Sequence, residues 1–122
     1  MIGPVVLSGG VVAAAEVTTI YSESVADGCM MSISAICAID PDNAIASYIE
    51  IGVKQGSRLM PIASKAGSFA ANVSHSIDYP VVLLPGQQIY AKFATPTAGD
   101  HLAVYAYGVV ECMNRSCGPA YG

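Results

Sequence analysis

The chain has 122 residues, 53% of them hydrophobic, and a net charge of −4 from nine acidic and five basic side chains. That length holds one hydrophobic core rather than two, and a chain this apolar is not a disordered one. Only 11% of the residues are charged, against about 25% in a typical soluble domain, so part of the surface is expected to lie under a partner.

The elements read in chain order as strands. Residues 4–7 suit a short leading strand, and residues 17–21 are rich in β-branched and aromatic side chains. Residues 30–39 set Ile33, Ala35, Cys37 and Ile39 against Ser32, Ser34 and Ala38. Residues 40–47 have room for one helical turn at most. Ile49, Ile51 and Val53 then alternate with Tyr48, Glu50, Gly52 and Lys54. A turn at Gln55-Gly56-Ser57 predicts a hairpin with residues 58–64. Phe69, Ala71, Val73, His75 and Ile77 share one parity, as do Ile89, Ala91 and Phe93, and then Leu102, Val104, Ala106 and Val110. A period of two means that alternate side chains face a core. Turn residues recur about every ten positions, as at Asp27-Gly28, Asp40-Pro41-Asp42-Asn43, Pro85-Gly86 and Gly99-Asp100.

The fold class expected is all-β: an antiparallel, jelly-roll-like β-sandwich of seven to nine short strands in a single domain. Residues 1–15 would be an N-terminal arm or edge strand, 16–111 the sandwich, and 112–122 a C-terminal arm carrying Gly118, Pro119 and Gly122.

Lys54, Arg58, Lys65, Lys92 and Arg115 are scattered. They form no stripe that would neutralise phosphates, so no nucleic-acid partner is expected. The apolar residues 5–17 are interrupted by Ser8, Gly9, Gly10 and Glu16. They fall short of the roughly 20 apolar residues of a spanning helix, and no membrane partner is expected. No Lys or Arg precedes Lys54, so a secretory leader is not expected either.

Catalytic chemistry finds little to work with, and no enzyme, catalytic residue or cofactor is expected. His75 lies on a core parity and His101 at a loop junction, where a packed and a solvated histidine are the ordinary readings. Most of the acids fall at turns or strand ends. Asp40-x-Asp42-Asn43 gathers oxygen ligands as calcium loops do, but it lacks their glycine and distant glutamate. An Asx turn is the simpler reading, and no metal site is expected. Cys29, Cys37, Cys112 and Cys117 leave three alternatives: free thiols, a disulfide within the tail, or a metal site. Tyr105, Tyr107, Tyr48 and Tyr90 fall on polar parities. They are the candidate partner contacts, because a tyrosine presents an apolar body with a wet tip; ordinary cross-strand packing would place them equally well.

The segment Leu83-Leu84-Pro85-Gly86-Gln87-Gln88-Ile89-Tyr90-Ala91-Lys92-Phe93, followed by residues 97–111 from Thr97-Ala98-Gly99-Asp100-His101 to Gly108-Val109-Val110-Glu111, resembles the C-terminal half of small tailed-phage virion proteins of the head-decoration, head-fibre and cement type. The resemblance implies a jelly-roll domain on the capsid surface of the virion, with the major capsid protein and its own copies, as a homotrimer, for partners. A carbohydrate- or receptor-binding module of a virion fibre or tail, with Tyr105 and Tyr107 lining a shallow site, is the alternative.

Overall fold

Alternating side chains become extended backbone in a computed structural model, which describes residues 2–13, 17–43, 48–66, 70, 72–77, 80–94 and 96–113. Among the described residues nine strands run in chain order: β1 (Ile2–Val12), β2 (Thr18–Tyr21), β3 (Cys29–Ile39), β4 (Tyr48–Gln55), β5 (Arg58–Ala66), β6 (His75–Ile77), β7 (Val81–Leu83), β8 (Gln88–Phe93) and β9 (His101–Cys112). No described residue is helical. Residues 44–47, where a helical turn had room, lie outside the described ones, as do Phe69 and Ala71.

All pairings are antiparallel. One sheet has the order β1-β9-β3-β6, with β7 also on β3, and the other β2-β8-β4-β5. β6 and β7 pair with successive stretches of β3, at residues 36–38 and 31–33. Counted as one broken strand, they leave eight strands in the two four-stranded sheets of a jelly roll. The expected sandwich is therefore present, though not every strand is short: β1 and β3 have 11 residues and β9 has 12.

Between the sheets lie Leu7, Ile20, Ile33, Ile36, Ile49, Ile51, Leu83, Ile89, Phe93, Leu102 and Val104, all buried. Removing this apolar surface from water is the main force holding the layers together. The two prolines inside strands, Pro4 and Pro61, sit in β1 and β5. Both strands are edges, where a missing N–H need not cost a ladder bond.

At residues 84–87 the Gln87 N–H donates to the Leu84 carbonyl at 3.1 Å. Pro85 presets its own φ, and Gly86 takes φ +83°, a left-handed value that a side chain would resist.

Three expectations need correction. In β3 the register slips between Ile33 and Ala35, so Ser34 is a bulge that reverses the parity beyond it. Ile36 and Ala38 are buried, and Ala35, Cys37 and Ile39 are the half-buried residues on the outer side. Val73 is exposed, because the strand begins only at His75. The cysteines follow none of the three alternatives: Cys29 and Cys112, 83 positions apart, form a disulfide and Cys37 is a free thiol. The two bridged residues stand directly opposite each other in the β3–β9 ladder. Cys117 and the rest of the expected tail from residue 114 lie outside the described residues.

Candidate functional site

The outer face of the β1-β9-β3 sheet is the first candidate. Inward positions of β9 (Leu102, Val104, Ala106) are buried, so its odd-numbered residues point out. Strand register then lays Val6, Tyr107 and Ala35 in one row, and Ser8, Tyr105 and Cys37 in the next. Val6 is 54% exposed and Tyr107 46%; Tyr105, Val109, Val12, Met30 and Val82 are exposed too. Across all five strands of this sheet, Glu111 is the only Asp, Glu, Lys or Arg. The outer face thus carries one charged strand residue, Glu111, exposed at the end of β9 on the same side as Tyr105, Tyr107 and Val109. Beside this face lies an 11-residue edge strand, where the Ser8 N–H donates to Glu23 Oε1 at 2.9 Å. Such edges present unpaired N–H and C=O groups.

The opposite sheet is built differently. Tyr90 shares the outward side with Glu50, Lys54 and Lys92, yet its ring is fully buried, contrary to the polar position expected for it. Gly52 is the reason. A Cβ there would fall 2.5 Å from the tyrosine ring, so the missing side chain is the space that the ring fills. The Tyr90 hydroxyl donates to Glu50 Oε2 at 2.6 Å. Burial first, and then the Glu50 carboxylate, push its pKa well above the ordinary tyrosine value. Nearby, the Lys54 ammonium lies 5.4 Å from the Tyr21 ring centroid and donates to the Gly56 carbonyl. Tyr90→Phe is expected to cost about 2 kcal/mol, the worth of one hydrogen bond to a carboxylate, in urea denaturation. It should leave the outer face of the other sheet, and any association through it, unchanged.

The four candidate tyrosines are therefore not gathered. Tyr105 and Tyr107 stand together on β9, while half-buried Tyr48 and buried Tyr90 belong to the other sheet.

The second candidate is one pole of the sandwich, where β3 ends and β9 begins. The Asx turn expected at Asp40 is present: its Oδ1 accepts the backbone N–H groups of Asp42 (3.0 Å) and Asn43 (3.2 Å). What sequence reading missed is Asp100. Its carbonyl accepts the Ala13 N–H, and its Oδ1 accepts from Asn43 Nδ2 at 2.6 Å. Asp42 Oδ2 accepts the His101 N–H at 2.8 Å and lies 3.0 Å from the ring Nδ1. Carboxylate oxygens of Asp40, Asp42 and Asp100 all fall within 4.8 Å of one another. Burial, then the Asp100 carboxyl beside it, push the Asp40 pKa up to about 6 despite the two N–H groups that favour its anion. Asp42 goes the other way, lowered first by the His101 N–H and then by the ring. His101 is exposed and His75 buried, as expected of each.

No family model matches the sequence, and no curated protein does. Solved structures similar to it include a chain of the disulfide-linked pili that are Bacillus endospore appendages (13% identity over 93% of this chain and 89% of that one, TM-score 0.48). Another is the virus-like particle of the extra small virus of the giant freshwater prawn Macrobrachium rosenbergii (9% identity, 93% and 80%, TM-score 0.49). A third is a carbohydrate-binding module, CBM4 (8% identity, 88% and 94%, TM-score 0.38). At such identities and scores the likeness says nothing of what this chain does.

Proposed function

We propose that this chain is a non-enzymatic structural protein of a virion, a decoration or cement protein of a phage head that works by covering and joining other subunits. The observation that carries the reading is the charge-poor outer face around Val6, Tyr105, Tyr107 and Val109, whose one charged strand residue, Glu111, lies at its end. Low charge at the centre and aromatic anchors are what distinguish the core of an interface from the rest of a surface. Binding that favours the assembled shell stabilises that shell by mass action. The major capsid protein and further copies of this chain, as a homotrimer on the capsid surface, are the partners proposed.

The test is light scattering of the purified chain, together with co-sedimentation with phage heads, for the wild type and for Val6→Asp and Tyr107→Asp. Both side chains are exposed, so the variants should fold as the wild type does. Each is expected to weaken association by about 30-fold or more, the scale of losing a central anchor. A monomeric wild type that ignores heads, or variants that bind as well as wild type, would overturn the reading.

The pairing of Tyr105 and Tyr107 on one side of β9 also suits the stacking of sugar rings. A glycan array separates that reading, since clear hits lost in Tyr107→Ser would favour carbohydrate binding over assembly.

A further inference from the structure

Two buried carboxyl groups face each other at the aspartate pole. Asp40 is 2% exposed and Asp100 3%. Each has one oxygen fully committed. Asp40 Oδ1 takes the N–H groups of Asp42 and Asn43, and Asp100 Oδ1 takes the Asn43 amide. The other oxygen of each, Oδ2, is buried and accepts no N–H or O–H from another described residue, so only a proton shared between the two carboxyls or a bound ion can satisfy the pair. A buried, uncompensated carboxylate is costly, and two together are more so. Among the described residues, no Lys or Arg forms an ion pair with either. Asp42 stands at the solvent side, with 42% of its side chain exposed.

The geometry points to a divalent-cation site here, with Asp40 Oδ2 and Asp100 Oδ2 as buried ligands, Asp42 as the outer ligand, and calcium as the ion. The donors are all oxygen, the choice of a hard cation. One oxygen of each residue lies within 4.8 Å of the others, a span that three ligands of one ion with Ca–O distances of about 2.3–2.6 Å can occupy. Magnesium demands a near-ideal octahedron at about 2.0–2.1 Å and gives up its water reluctantly, so it suits a site of protein carboxylates less well. Water completes the shell on the Asp42 side. The ion ties the chain leaving β3 to the start of β9. It also holds the segment around Ala13, because Asp100 O accepts the Ala13 N–H and Ala13 O accepts the Gly99 N–H. This site does not depend on the assembly reading.

The experiment titrates calcium chloride into the chelator-treated full chain at pH 7.5, by calorimetry and by thermal unfolding. Wild type should bind one ion per chain with a dissociation constant on the order of 10⁻⁴ M or tighter. A calcium excess should raise Tm by on the order of 5 °C, and magnesium by clearly less. Asp100→Asn keeps an acceptor for Asn43 but removes the charge. It should lose at least tenfold in calcium affinity while unfolding in chelator no earlier than wild type. Should that variant misfold, Asp42→Asn at the exposed ligand tests the same site and should lose about tenfold. A wild type with neither heat nor Tm shift would overturn the proposal and leave a shared proton between the two carboxyls. An Asp100→Asn or Asp42→Asn variant that answers calcium as wild type does would also overturn it.

Discussion

Reducing the Cys29–Cys112 bridge, or replacing both residues by serine, should lower the unfolding free energy by about 4.5 kcal/mol, the value chain entropy gives for a loop of this size. The bridge closes 83 positions of sequence, so it restricts most of the unfolded chain. In the folded state it fastens the first residue of β3 to the last of β9, which are already register partners. The ladder therefore survives its loss, and the fold should persist with a lower urea midpoint. Tm should fall by on the order of 15 °C for a domain of this length. Urea curves of the oxidised protein, the reduced protein and the double serine variant measure this. The last two should coincide, and equal midpoints for all three would refute the expectation.

Gly108→Ala should cost about 3 kcal/mol, at the upper end of what overpacking brings. Gly108 faces Ile33 beside the bulge at Ser34. An added Cβ would fall 2.0 Å from the Ser32 carbonyl oxygen and 2.8 Å from the Ile33 Cα. Both obstacles are backbone, so no side chain can swing aside, and β3 and β9 must separate. Gly3→Ala is the matched control. It also lies in a strand, on β1, but its Cβ would meet nothing within 4 Å, and a change within about 0.5 kcal/mol is expected. Thermal unfolding of the two variants side by side decides the point. A Gly108→Ala protein as stable as the control would mean that the strands close around a methyl group without strain.

Much of the architecture was legible because single-residue alternation survives in β4, β8 and β9. There Ile49, Ile51, Val53, Ile89, Ala91, Phe93, Leu102, Val104 and Ala106 are all buried on the predicted parity. It failed where backbone geometry departs from strict repetition. One extra residue at Ser34 sends Cys37 outward and Ile36 inward, and a bulge of this kind has no side-chain pattern of its own. Tyr90 was misplaced because its burial depends on the absence of a side chain at Gly52 on the neighbouring strand. The aspartate pole and the disulfide were illegible for a common reason. Asp40 meets Asp100, and Cys29 meets Cys112, only once β3 and β9 lie side by side. Local spacing carries no trace of such meetings. The exposed tyrosines on β9 were visible at once, since they need only a strand and a side.

The ladder between β1 and β9 sets the direction of the whole body. Ile2 lies opposite Glu111 at one end, next to the cystine, and Val12 lies opposite His101 at the other, next to the three aspartates. Ile2 and Cys112 thus stand at the same pole of the sandwich. A tether fused directly ahead of Ile2 would start at the cystine end, at the opposite end of the β1–β9 ladder from the three aspartates.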